Sequence, residues 1–239
     1  MNKIDVKGVI VPNDSQWIYD LFEMESTSPK KVSEALANAN GADVEVIINS
    51  PGGDVFAGSE IYTELKSYSG NVVNKIVGVA ASAASIIAMS GKTLISPTAQ
   101  MMIHNASSFA GGDHRDLKHA SDFLHNWDKS LSNAYILKSG MSQEELLDLM
   151  NKETWFNAHE ALEKKLVDEI MFEDNQPQLV ANIGGAMMIP KQVIDTIRNM
   201  KDTFNPANPN KKDEVDIFNQ QKATAKLNLL KLGGITNEL

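Results

Sequence analysis

VVNKIVGVAASAASIIAM, residues 72–89, decides the fold. Its first half, Val72 to Val79, is a run of β-branched and apolar residues that reads as a buried strand. Gly78 to Ala81 narrow to small residues that permit a tight turn, and Ser82 opens a short apolar helix ending at Met89. A strand passing directly into a helix is the repeating unit of sheets whose strands run parallel and are joined by right-handed helical crossovers.

The same unit recurs on the N-terminal side. Lys3 to Val11 reads as a first strand, and Ser28-Pro29 announces a helix, with Ser28 placed to cap free amides and Pro29 suited to the first helical position. Val32, Ala35, Leu36 and Ala39 follow at helical spacing. Val44 to Ile48 is a second strand, Ser50-Pro51-Gly52-Gly53 ends it in a turn, and Ile61, Tyr62 and Leu65 mark the next helix. Downstream, Thr93 to Ser96 and Met101 to Ile103 read as strands. Asp113 to about Lys138 reads as one long helix with Leu117, Phe123, Leu124, Trp127, Leu131, Ala134 and Tyr135 as its apolar positions. Ser142 is expected to cap another helix with Glu145 as its box partner, Ala158 to Lys165 to form a short helix, and Val167 to Phe172 a closing strand. Residues 1–172 are therefore expected to form one α/β domain. Residues 173–239 change character, with a polar stretch at 175–185, a linker-like Asn-Pro run at 205–210 and two amphipathic stretches, 193–200 and 217–232. They are expected to form a C-terminal extension, partly helical or disordered.

Composition narrows the function classes. The absence of cysteine excludes disulfides, thiolate catalysis and cysteine-held zinc. Residues 1–172 carry the whole net charge of −9, with 14 Lys+Arg against 23 Asp+Glu. An acidic body of that kind lacks the clustered cations that nucleic acid or an anionic membrane requires, so neither is an expected partner. No run of about 18 apolar residues is present to suggest a membrane span. The opening MNKIDVKGVIVP reads as a strand, not a secretory signal.

Three segments carry chemistry. Ser82 lies where a strand gives way to a helix, and helix N-termini present unpaired amides that suit an oxyanion. The G-x-S-x-G elbow of α/β hydrolases is absent, and a serine among small residues is most often plain helix packing. His104 ends Met101-Met102-Ile103, at the loop-facing end of a strand, where catalytic side chains gather in α/β proteins. His114, His119 and His125 follow at spacings of five and six, which do not share a face for metal binding, and His159-Glu160 lacks the second histidine of a zinc-protease helix. No metal or cofactor is implied. Asn49-Ser50-Pro51-Gly52-Gly53 offers backbone amides and close backbone approach to a ligand.

Ser50-Pro51-Gly52-Gly53, Ala80-Ala81-Ser82 and Met102-Ile103-His104, in that order, resemble the proteolytic subunit of Clp protease. The segments 157–162 and 166–170 resemble that family's closing motif. With Trp17-Ile18-Tyr19 and Ser28-Pro29-Lys30 upstream, the sequence is similar to the ClpP-like head-maturation proteases of tailed bacteriophages. The resemblance implies a ClpP/crotonase-like repeated β-β-α superhelix with a long handle helix. It also implies a serine endopeptidase with Ser82 as nucleophile, His104 as base, and the amides of Gly52 and Ala83 as the oxyanion hole. The family's aspartate position is held by Glu153, with Asp148 as an alternative third member. Gly53 and the segment Ser108, Phe109, Ala110 and Gly111 would bind an extended substrate strand.

Implied partners are polypeptide substrates, namely phage scaffold and capsid proteins and the chain's own tail, and further copies of the chain in a homo-oligomeric ring. The implied location is the cytoplasm of a bacterial host or the interior of an immature phage head. The first strand begins within a few residues of Met1, so docking to an ATPase is not expected. Two other readings fit the superfold: a CoA enzyme of the crotonase type, which would use carboxylates near the glycine turn, and a catalytically silent capsid scaffold.

Overall fold

The computed structural model describes residues 2–173, so nearly all of the expected extension at 173–239 lies outside the described residues. In chain order the elements are β1 (Asn2–Ile10), α1 (Gln16–Leu21), β2 (Ser26–Thr27), α2 (Pro29–Ala39), β3 (Val44–Gly53), α3 (Val55–Ser67), β4 (Val72–Ala81) and α4 (Ala83–Ala88). They continue with β5 (Lys92–Ile95), β6 (Gln100–Ile103), α5 (His114–Ser139), α6 (Gln143–Asn151), β7 (Thr154–Asn157), α7 (Ala158–Glu163) and β8 (Glu169–Ile170). The strands form one sheet in the order β2-β1-β3-β4-β5-β8, with β6 pairing to the far end of β4 and β7 pairing to β6. Every pairing is parallel except β6–β7. The expected α/β class with parallel strands and helical crossovers is therefore what forms.

Alternation along the strands explains where the core lies. Val44, Val46 and Ile48 of β3 face inward with Ile4 and Val6 of β1 and Ile76 of β4, and they join Ile61, Leu65, Ile86 and Ile87 from α3 and α4. Each such side chain contributes roughly 1.5–3 kcal/mol by leaving water. That shared core holds the C-terminal ends of β3, β4 and β6 in register, and those ends carry the candidate site.

Several local expectations need correction. Ser50 to Gly53 do not leave the sheet in a turn: β3 continues through them, with Ser50 opposite Ala80 and Gly53 opposite Ile10. Ser28 occupies the N-cap of α2 but makes no capping bond, and its buried hydroxyl has no partner. The Oδ1 of Asn13 accepts from the Lys30 N–H at 2.8 Å in its place. At α6, the Ser142 hydroxyl accepts from the Glu145 N–H as expected, while the Glu145 carboxylate reaches Lys164 instead of closing the box. Along α5, Ala134 and Tyr135 are buried, whereas Leu117 and Phe123 are exposed.

Candidate active site

Strand pairing builds the site. β4 and β6 run parallel with Ala81 opposite Met102, and the Ser82 N–H donates to the Met102 carbonyl at 3.0 Å. The two chains thus leave the sheet side by side, and two residues after Met102 the His104 side chain meets Ser82. The hydrogen bond between His104 Nε2 and Ser82 Oγ is 2.7 Å long. Ser82 and His104 are both half-buried, open enough to be reached.

The backbone of Ser82 is strained, with φ at 54° and ψ at −124°. A β-carbon at positive φ is unfavourable, and such a conformation persists only where neighbours over-determine it. They do so here. The Ser82 carbonyl accepts from the Ser85 N–H at 2.9 Å and from the Ser85 hydroxyl at 2.6 Å. Because the Ser85 proton is used in that bond, the Tyr135 hydroxyl must donate to Ser85 Oγ across their 2.7 Å contact. Burial holds the Tyr135 phenol far above the ordinary tyrosine range, which keeps this donor protonated.

The oxyanion donors divide. Ala83 is the first residue of α4, so its N–H has no partner within the helix and is free to meet an incoming oxygen. The Gly52 N–H, expected as the second donor, donates to the buried Ser50 Oγ at 3.1 Å, and that hydroxyl in turn donates to the Gly8 carbonyl at 2.6 Å. Gly52 matters in another way. Its φ is 96°, and a β-carbon there would lie 2.7 Å from both the Ala81 carbonyl oxygen and Ser82 Cβ. Glycine is what allows the end of β3 to lie against Ser82.

The two acids expected as the third member make other bonds. The β6–β7 register places Ile103 opposite Thr154, which brings the backbone of Glu153 beside His104. Glu153 itself has a positive φ of 49°, is exposed, and accepts from Trp155 Nε1 at 3.4 Å. Asp148 pairs with Lys152 at 2.6 Å. Neither acid bonds to the imidazole. The buried acid next to the site is Asp128 of α5, which sequence reasoning missed. It is only 5% exposed, and its Oδ1 accepts from the Ala106 N–H at 2.8 Å. Burial pushes its carboxyl above the usual aspartate range, while the Ala106 N–H and the charges of His125 and His104 favour the ionised form. A carboxylate within the apolar stripe of a helix was the available signal, because unpaired aspartate is almost never buried.

A cleft beside Ser82 is walled by Val55, Ile86, Leu131, Tyr135 and Met150. Most of its walls are apolar, and Ser59, Ser82, His104 and Asn105 are its polar groups. Ser108, Phe109, Ala110 and Gly111 lie in an exposed loop outside any strand, with Phe109 fully exposed. A β-carbon on Gly53 would collide with the Ile10 carbonyl, so its backbone packs on β1. The exposed His114, His119, His125 and His159 join no cluster of three or more metal-ligating side chains among the described residues. Asp54, the carboxylate nearest the glycine pair in sequence, caps α3 by accepting from the Ala57 N–H at 2.8 Å.

Comparison with known proteins adds the following. A family profile described as Clp protease matches residues 23–174. The chain is similar to the ATP-dependent Clp protease proteolytic subunit 1 of Chlamydia muridarum, 30% identical over 168 residues, covering 65% of this chain and 87% of that protein. It is also similar to the ATP-dependent Clp protease proteolytic subunit 2 of Tropheryma whipplei, 31% identical over 134 residues, 55% of this chain and 74% of that protein. A third relative, the ATP-dependent Clp protease proteolytic subunit of Streptococcus pneumoniae, is 33% identical over 134 residues, 54% of this chain and 68% of that protein.

Proposed function

Because this chain belongs to the Clp protease family and is a serine-type peptidase, we propose that Ser82 is its nucleophile, His104 its general base and phage head proteins its substrates. The observation that carries the catalytic part is the 2.7 Å bond between His104 Nε2 and Ser82 Oγ on a strained serine. As Ser82 Oγ attacks the scissile carbonyl, His104 Nε2 takes its proton and later delivers it to the leaving amine. The carbonyl oxygen becomes an oxyanion against the Ala83 N–H, and one such donor is worth about 3–4 kcal/mol of barrier. Water then releases the acyl chain by the same proton route in reverse.

The exposed backbone of residues 107–112 pairs with the substrate as an added strand, which gives affinity without strict sequence preference. The proposed substrates are scaffold and capsid proteins and the chain's own C-terminal segment, cut in the bacterial cytoplasm or inside the immature head. What supports this finer reading is the segment Trp17-Ile18-Tyr19 to Ser28-Pro29-Lys30, which resembles the phage enzymes and here forms α1, β2 and the start of α2. Assembly into a homo-oligomeric ring limits access to the site.

Two measurements test the proposal. A fluorophosphonate should label wild-type protein at Ser82 and leave Ser82→Ala and His104→Ala unlabelled; labelling of Ser82→Ala would remove the nucleophile assignment. Co-expression with the capsid and scaffold proteins of its phage should give cut products with wild type and none with Ser82→Ala. Uncut proteins in both would sink the head-maturation role while leaving the peptidase intact.

A further inference from the structure

We propose that Asp128, on the long helix, is the residue that positions and electrostatically supports the His104 imidazole, in place of Glu153. The proposal rests on the assignment of Ser82 and His104 as nucleophile and base.

Three observations carry it. First, Asp128 shares a face of α5 with Leu131, Ser132 and Tyr135, at spacings of three, four and seven residues. That face looks onto the site: Leu131 and Tyr135 wall the cleft, and Tyr135 reaches Ser85 and through it the Ser82 carbonyl. Second, the Asp128 carboxylate is fixed to the loop that bears the base, through the Ala106 N–H at 2.8 Å. Ala106 is two residues past His104, a span of at most about 7 Å, so this carboxylate is anchored to the same short loop that carries the imidazole. Third, two hydrogen-bonding capacities remain open on the two sides of that loop. With Nε2 accepting from Ser82, the neutral imidazole carries its proton on Nδ1, which has no acceptor among the described residues. Asp128 Oδ2 likewise has no donor among them.

Burial decides between the two acids. Glu153 is solvated and engaged with Trp155, and a charge in water acts weakly on its neighbours. Asp128 is shielded, so its charge acts through a medium of lower dielectric, and the imidazole's charge is already felt at its carboxyl. The titratable groups around this point are His104 on the loop, His125 on the adjacent turn of α5 and the neutral Tyr135 phenol. Asp148, on α6, is turned to Lys152. When His104 takes the Ser82 proton, Asp128 stabilises the imidazolium that forms and itself stays unprotonated.

Asp128→Asn separates anchoring from charge, because an amide oxygen still accepts from the Ala106 N–H while the negative charge is gone. Fluorophosphonate labelling of the full chain should show the maximal inactivation rate reduced by about a hundredfold or more, with the half-saturating probe concentration unchanged and the melting temperature within about 2 °C of wild type. Glu153→Gln should label at the wild-type rate. Wild-type labelling by Asp128→Asn, or slow labelling by Glu153→Gln alone, overturns the proposal with the Ser82–His104 pair intact. An unlabelled wild type removes the pair itself and the proposal with it. Should Asp128→Asn fail to fold, nitrogen-15 imidazole spectra of wild type keep the test open. A His104 proton on Nδ1 far downfield of those of His114 and His119 supports the proposal, and one on Nε2, or at their position, overturns it.

Discussion

At the scale of single residues, the site depends on positions that tolerate no added atom. Gly52 is the clearest case, since alanine there would place its β-carbon 2.7 Å from Ser82 Cβ. Gly52→Ala is expected to push Ser82 off its bond to His104 and to cut fluorophosphonate labelling by about a hundredfold, the cost typical of a displacement near 1 Å. Near-normal labelling of this variant would mean that the end of β3 does not set the serine's position. Ser50 is the buried pin beneath it, tying Gly8 to Gly52. Ser50→Ala leaves the Gly8 carbonyl without its donor and is expected to lower stability by about 1–3 kcal/mol in urea unfolding. Ser82, His104 and the glycine pair were legible because each closes a strand, and strand ends can be read from apolar runs. Asp128 was not, because its meaning depends on which turn of α5 lies under the loop at 104–106. Packing fixes that choice, and local pattern does not.

At the scale of elements, caps show where sequence pattern and structure part. Ser28 precedes Pro29 as a capping residue should, yet the amide of Lys30 is capped from 17 residues upstream by Asn13. Asn13→Ala should therefore cost about 1 kcal/mol, while Ser28→Ala, which removes a buried hydroxyl without a partner, should be neutral or stabilising. The reverse order in thermal melts would restore the local capping rule. The repeated strand–helix units were legible because Ile4 and Val6 of β1 and Val44, Val46 and Ile48 of β3 fill inward-facing positions at alternate residues. α1, β2 and β7 were not: each is six residues or fewer, and β7 exists only because β6 offers it an edge. A pH-dependent test belongs to α3. Burial, and then the charge of Glu60 one turn away, pushes the Glu64 carboxyl above its ordinary range, with the Ser33 hydroxyl opposing. A raised folded-state pKa means a contribution present below the unfolded value and lost as pH rises through the folded one. Glu64→Gln should accordingly match wild type near pH 4 and melt about 2 °C higher at pH 7. Equal melting temperatures at both values would show that the carboxyl is solvated.

At the scale of the whole molecule, the described surface is more apolar than one folded chain needs. Trp17, Leu21 and Phe22 are 62%, 68% and 69% exposed on and beside α1, and Leu117, Phe123 and Leu137 stand out along α5 at 48%, 49% and 74%. Apolar surface spread along a helix of 26 residues marks an interface more often than an idle face. The proposed ring supplies its cover. The Ser82–His104 bond is nevertheless made within a single chain, as are the links from Tyr135 to Ser85 and from Asp128 to Ala106. In the proposed ring, assembly would govern which polypeptides reach the site, while the Ser82–His104 pair is formed in each subunit. Wild type at micromolar concentration should accordingly give multimers in native mass spectrometry. Leu117→Glu combined with Leu137→Glu places charge at two exposed apolar positions of α5 and should yield monomers. These monomers should keep fluorophosphonate labelling within about tenfold of wild type, a change of about 1.4 kcal/mol or less in barrier. Loss of labelling together with loss of assembly would show that the ring builds the site as well as enclosing it.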